Sequence, residues 1–228
     1  MFKVFLIRHG ESIWNHGSKF TGWTNIPLTK YGKLEGKIIG TKLGEMNIKP
    51  DVFYSSVLDR ALDTATIIKD TLNIKAPIHT SWRLNEKHYG TLEGVPRDYL
   101  RNEYGDKFTN ILRHNFYMRP PVIPSNNRTN TEYPIYKNCY FDKIKNGESK
   151  ENVLQRSLPY FENDILYSFN ENKVPFVVTH KHCLRVLMKH YLNLSDEEFE
   201  SYSIPDKTIL EMNFDKNMKF VTHSFINY

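Results

Sequence analysis

Two short runs of β-branched and aromatic residues constrain this chain more than any other feature. Residues 2–7, FKVFLI, stop at Arg8-His9-Gly10, and residues 174–179, VPFVVT, stop at His180. Runs of this length, ended by charged residues or turn formers, read as strands buried on both faces. Between them a helical pattern opens at Thr29, with apolar Leu34, Ile38, Leu43 and Met46 expected on its buried face. A short strand follows at residues 52–54, and helical spacing returns over residues 57–72. Strands alternating with helices predict an α/β fold of three layers, α/β/α, with a mostly parallel sheet and helices on both faces.

The 228 residues, 39% hydrophobic and 14% aromatic, supply the core of one such unit, so residues 1–228 read as a single domain. Ser195-Asp196-Glu197-Glu198 is a capping box and starts a helix near residues 195–202, while Met188 to Leu194 fall in the helix before it. From about residue 104 to 148 the periodicity breaks at Pro120-Pro121, Pro124, Asn126-Asn127, Asn130 and Pro134. That segment is expected to be an irregular insertion, a lid or a binding loop.

Ligands of open parallel sheets bind beyond the carboxyl ends of the strands. Arg8 with His9, the stretch from Ser55 to Arg60, and His180 therefore carry most of the functional weight. Arginine offers a planar fork of donors to phosphate oxygens. Imidazole serves as nucleophile or proton carrier near neutral pH. The first turn after Tyr54, around Ser56 and Val57, is expected to aim backbone N–H groups at the same place, with Arg60 one turn further in. Two core histidines flanking a salt bridge would be the plainer explanation of the same residues.

Charge narrows the partners. A net +5 and a pI near 9.0 favour anions. The charges are scattered rather than clustered in a tail, and no nucleic-acid signature accompanies them, which leaves small phosphorylated metabolites ahead of nucleic acid. No apolar run approaches the roughly 18 residues of a membrane span, and no signal-peptide core precedes Arg8, so a cytoplasmic protein is expected. Cys139 and Cys183 lack metal-ligand spacing, so neither zinc nor a disulfide is expected, and Cys183 reads as a buried, inert thiol. The sequons at Asn127 and Asn193 read as chance. Trp14 and Trp23 read as packing residues.

L-I-R-H-G-E-S-I-W-N at 6–15, F-T-G-W-T-N-I-P-L-T at 20–29, S-S-V-L-D-R-A at 55–61 and L-N-E-K-H-Y-G-T-L-E-G at 84–94 closely resemble the cofactor-dependent phosphoglycerate mutases of the histidine phosphatase superfamily. The resemblance runs on through Arg113, Glu148-Ser149 and Asn213-Phe214-Asp215. R-H-G alone marks the superfamily, whereas F-T-G-W and L-N-E-x-H-Y-G mark the mutase branch.

The resemblance implies that His9 is the nucleophile that becomes phosphohistidine, that Arg8, Arg60 and His180 bind the transferring phosphoryl group with Asn15 nearby, and that Glu86 is the acid/base. It implies that Ser12, Thr21, Gly22, Tyr89 and Arg113 line the substrate, with Arg97, His114, Lys181 and His182 on its distal side. It also implies 2,3-bisphosphoglycerate as phosphoryl primer, no metal, and a homo-oligomer of two or four copies. Phosphoryl transfer needs positioning and preorganised cations above all, and this residue set supplies them. The field of the arginines is expected to keep His9 neutral, and a nearby phosphate to raise the pKa of Glu86.

The chain departs from the family in places. Lys181-His182-Cys183 stands where the family has Gly-Asn-Ser, His114 replaces an arginine, Arg97 replaces a lysine and Lys87 an arginine. Asp206-Lys207-Thr208 replaces small apolar residues, and the sequence ends at Tyr228, short of the tail that helps close the site in many members. These changes lie toward the distal side of the substrate. The expected function is interconversion of 3- and 2-phosphoglycerate; the alternatives are hydrolysis of a small phosphorylated metabolite, a bisphosphoglycerate synthase or phosphatase side activity, or a weakly catalytic phospholigand-binding protein.

Overall fold

The computed structural model describes residues 1–120 and 147–228. Its strands are β1 (Phe2–Arg8), β2 (Val52–Ser55), β3 (Ile78–Thr80), β4 (Pro175–Thr179), β5 (Thr208–Phe214) and β6 (Phe220–Asn227). The helices are α1 (Ile13–His16), α2 (Lys30–Glu45), α3 (Asp59–Thr71), α4 (Arg97–His114), α5 (Lys150–Tyr160), α6 (Lys181–Tyr191) and α7 (Asp196–Ser201). The strands form one sheet in the order β3-β2-β4-β1-β5-β6. β3, β2, β4 and β1 run parallel, while β5 and β6 are antiparallel additions that the hydrophobic pattern did not announce.

Alternation along each strand splits the core into two layers. On one side Val4, Leu6, Val177, Leu210 and Met212 pack with Val153, Phe161, Leu184, Leu187 and Phe199 from α5, α6, α7 and the turn after α5. On the other, Phe5, Ile7, Phe53, Phe176 and Val178 pack with Ile39 and Leu43 of α2 and Ala61, Ala65 and Ile68 of α3. The α/β/α layering expected from the sequence is therefore present.

The buried face of α2 is not the expected one. Leu43 is buried, but Leu34, Ile38 and Met46 are exposed, and the covered face is Gly32, Gly36, Ile39, Gly40 and Leu43. Glycine allows helix-to-chain approach too close for any larger side chain: a Cβ on Gly40 would lie 2.6 Å from Cβ of Thr71 in α3, and one on Gly32 would lie 2.1 Å from the carbonyl oxygen of Glu11. α2 thus presses against the turn that follows β1.

Two boundaries also differ. The helix expected over residues 57–72 starts at Asp59, with Leu58 as its N-cap. The segment from Tyr104 to His114, expected to open an irregular insertion, belongs to α4, which is kinked at Gly105 where φ is +81°. Residues 121–146 of that expected lid, with Cys139 and Asn127, lie outside the described residues. Among the described residues no helix is long and apolar enough to cross a membrane.

Candidate active site

Register places the site. Arg8 pairs with Thr179 across β1 and β4, and Ser55 with Val178 across β2 and β4, so three parallel strands end level. The residues after those ends, His9, His180 and Ser56, meet there. The rings of His9 and His180 have centroids 4.8 Å apart, and His180 Nε2 lies 2.7 Å from Ser56 Oγ.

His9 Nδ1 lies 2.6 Å from the carbonyl oxygen of Gly10. A carbonyl only accepts, so Nδ1 carries the proton and the lone pair is left on Nε2. Burial first, then Arg60 and Arg8, hold the His9 pKa well below 6.5, which keeps the ring neutral at pH 7. The direction matches the expectation; the leading cause, desolvation, is not the arginine field that the sequence suggested. His180 is lowered well below 6.5 in the same way, by burial ahead of Arg60 and His9.

A cleft of about 250 Å³ opens over His9. Five arginines, Arg8, Arg60, Arg97, Arg113 and Arg185, reach its wall, with Lys181, against the carboxylates of Glu86 and Asp206. Asn15, Phe20, Thr21, Gly22, Tyr89, His114 and His182 complete the lining. Such a surplus of cations around an imidazole suits a small polyanion.

Several wall residues are held from behind. Arg60, in the first turn of α3 and almost wholly buried, donates through its two Nη atoms to the carbonyls of Thr24 (3.0 Å) and Gly22 (2.7 Å), fixing the loop over the cleft. Gly22 has φ +56°, and a Cβ there would meet the Glu93 carboxylate, which accepts from the backbone N–H groups of Trp23, Thr24 and Tyr89. Trp23 is a packing residue that also donates Nε1–H to the carbonyl of Glu86 at 2.7 Å.

Glu86 Oε1 accepts from the backbone N–H groups of Lys87 (2.7 Å) and His182 (3.3 Å). Burial nevertheless raises its pKa, outweighing those hydrogen bonds and the nearby Arg60 and Arg8. No phosphate is needed for the shift. Arg156 donates to the Glu86 carbonyl and, bidentately, to the buried Glu148 at 2.7 and 2.9 Å.

The distal wall is cationic and tightly braced. Tyr89 Oη and His182 Nε2 lie 2.7 Å apart. Burial first, then Lys150 and Lys87, hold the His182 pKa well below 6.5. Lys87 Nζ reaches the carbonyls of Leu112 and Met118, and Lys150 Nζ that of Asn115, gripping the end of α4 that carries Arg113 and His114. Burial lowers Lys87 to about 8 and Lys150 to about 6.

Several expectations change here. Ser12 does not line the cleft: it is fully buried as the N-cap of α1, bonded to Asn15. His180 lies behind His9, fully buried, rather than on the cleft wall. The N–H groups after β2 offer nothing to an anion, because Ser56, Val57, Leu58 and Asp59 donate to Val178 O, Asn85 Oδ1, Ser56 Oγ and Asn25 Oδ1. Cys183 is buried, and burial raises its thiol pKa. His180 and His182 turn to different partners, Ser56 and Tyr89. Among the described residues no group of three or more His, Cys, Asp or Glu is arranged to hold a metal ion.

Two wall residues, Phe20 and Arg185, had no site role in the sequence reading, and Asp206 stood there only as a substitution toward the distal side. Arg185 stands one helical turn after Lys181 on α6, so the i, i+4 spacing was its only signal. Asp206 reaches Arg8 because β5 runs antiparallel to β1, a long-range fact with no local trace.

Fold and cleft together define an α/β protein with a cation-rich cleft at the carboxyl ends of its parallel strands. The chain belongs to the histidine phosphatase superfamily, branch 1, whose sequence profile matches residues 4–226. It is 37% identical over 220 residues to a 2,3-bisphosphoglycerate-dependent phosphoglycerate mutase of Bifidobacterium longum (strain DJO10A), covering 96% of this chain and 88% of that protein. Against the protein of the same name from Buchnera aphidicola subsp. Cinara cedri it is 36% identical over 226 residues, 98% of both chains. In three dimensions it resembles a mycobacterial glucosyl-3-phosphoglycerate phosphatase solved with VO3, with a TM-score of 0.75 at 18% identity, covering 100% of this chain and 99% of that one.

Proposed function

We propose that this enzyme interconverts 3-phosphoglycerate and 2-phosphoglycerate through a phosphohistidine at His9, with 2,3-bisphosphoglycerate as primer. The observation that carries this reading is the lone pair of His9 Nε2 held beside a cleft walled by five arginines and a half-buried Glu86 whose pKa is raised by desolvation. The cleft's size and cationic wall suit a glycerate bearing two phosphates, which would supply the first phosphoryl group.

In each transfer His9 Nε2 forms a bond to phosphorus as the bond from phosphorus to the glycerate oxygen breaks. The electron pair goes to that oxygen, which takes the Glu86 proton. Arg8 and Arg60 balance charge on the equatorial oxygens, while His180, held by Ser56, packs against the His9 ring from behind. In the reverse step Glu86 removes the hydroxyl proton of the acceptor. The wall of Arg97, Arg113, His114, Lys181 and His182 would hold the carboxylate and the second phosphate. Operation without metal, a cytoplasmic setting and an assembly of two or four copies belong to the same reading.

Hydrolysis is the second reading, favoured by one observation: His9 also borders a second chamber, of about 300 Å³, which gives water another approach. A phosphorus NMR time course with 3-phosphoglycerate and a trace of 2,3-bisphosphoglycerate, without added metal, separates the two. The expected product is 2-phosphoglycerate, with His9→Ala inactive. Free phosphate as the main product would replace the mutase reading by a phosphatase. Turnover retained in His9→Ala would overturn both.

A further inference from the structure

Arg8, which on the reading above must receive a phosphoryl group, already holds a carboxylate. Its Nη1 donates to Asp206 Oδ1 at 3.1 Å. Ile7 faces Ile209 in the antiparallel β1–β5 ladder, so the loop that precedes Thr208 is delivered to the carboxyl end of β1. The Asp206 side chain is 73% exposed and that of Arg8 36%, so the pair sits at the mouth rather than in the core. It also stands where the two chambers meet, since Arg8, His9, Asn15, Lys181 and Asp206 line both.

An exposed carboxylate–guanidinium pair is weak. A phosphoryl dianion, with three oxygens for charge-assisted hydrogen bonds, displaces it readily. A carboxylate does not: exchanging one carboxylate for another on Arg8 gains nothing. The displaced Asp206 then needs a cation. Lys181, the first residue of α6, is half-buried on the same two walls; among the described residues its side chain makes no hydrogen bond or close ion pair, and Asp206 already lies near enough to raise its pKa against the effect of burial.

We infer that Asp206 is a specificity-determining residue: it covers Arg8 in the free enzyme, yields it to a phosphoryl group but not to a carboxylate, and passes to Lys181 on binding. A substrate bearing both groups is thereby kept from entering with its carboxylate toward His9. This rests on the phosphoryl site proposed above.

The test is titration calorimetry with inorganic phosphate, and with glycerate as a carboxylate that lacks a phosphoryl group. Asp206→Asn is expected to bind phosphate about two- to fivefold more tightly, the range an exposed ion pair allows, and to lose selectivity for phosphate over glycerate. Lys181→Met is expected to weaken phosphate binding at least about twofold more in the wild type than in the Asp206→Asn background, as coupled residues do. Asp98→Asn removes an equal charge from an exposed carboxylate that pairs with Arg101, and controls for long-range field. Equal phosphate affinity in wild type and Asp206→Asn, tightening matched by Asp98→Asn, or an identical Lys181→Met effect in both backgrounds would each overturn the inference while leaving the phosphohistidine reading intact. No phosphate binding by any form, together with no acid-labile phosphate on His9, would overturn both.

Discussion

The carbonyl of Glu86 is held by the Nε1–H of Trp23 at 2.7 Å, a contact between a loop over the cleft and the segment that carries the Glu86 carboxyl. The Glu86 side chain is thereby kept at the cleft wall, half-buried beside cationic residues. Its raised pKa is a consequence of that burial.

Glu86→Gln keeps an oxygen for the N–H groups of Lys87 and His182 but cannot give up a proton. Single-turnover phosphoryl transfer should slow by about 10²–10⁴-fold, the usual worth of general acid–base catalysis. Phosphate affinity should change little. In the wild type the step that protonates the leaving oxygen should lose rate as pH rises through the raised Glu86 pKa, and Glu86→Gln should lack that limb. An unchanged transfer rate would remove Glu86 from the chemistry.

His114 supplies a conditional charge. Burial, then Arg113, Arg185 and Lys150, lower its pKa below 6.5, so the ring is neutral at pH 7 and gains a proton only in more acidic solution. The affinity of wild type relative to His114→Arg for a doubly anionic ligand should therefore rise as pH falls below 6.5. At pH 8 His114→Arg should bind more tightly. A ratio independent of pH would place His114 outside the binding wall.

Arg156 and Glu148 form a buried bidentate pair. Arg156→Met leaves the Glu148 charge buried and releases the carbonyls of Arg83 and Glu86. The cost should be about 3–5 kcal/mol in urea unfolding, typical of breaking one partner of such a pair. A loss below about 1 kcal/mol would show that the site segment is braced by other contacts.

Gly32→Ala tests the approach of α2 to the turn after β1. Alanine is the better helix former by about 1 kcal/mol, yet its Cβ would lie 2.1 Å from the Glu11 carbonyl. Overpacking should prevail, with a net loss of about 1–3 kcal/mol, and the misplaced turn should also depress activity through His9. A stabilised variant would contradict the rigid contact.

Local physics made much of this legible. β1 and β4 are recognisable from short runs of β-branched and aromatic residues, and α7 from a capping box, because strand and cap conformations depend on neighbouring side chains. The placement of His9 and His180 at level strand ends follows from the same runs. Motif resemblance supplied Glu86 and Tyr89, which no periodicity singles out. Ser12 stands at a motif position that suggests a ligand, while in the fold its side chain caps α1.

By itself the sequence determined β1, β2, β4, α7 and the approximate spans of α2 and α3, and which residues stand at the ends of the buried strands, since those depend on contacts a few residues apart. Only the tertiary structure decided that α2 buries its glycines instead of Leu34 and Ile38, that the N–H groups around Ser56 are already bonded, and that Arg185 and Asp206 reach the cleft. Those outcomes rest on helix-to-helix approach, on an antiparallel β5 and on charges converging from distant segments. None of them leaves a periodicity in the chain, because each is a property of surfaces that meet only after folding.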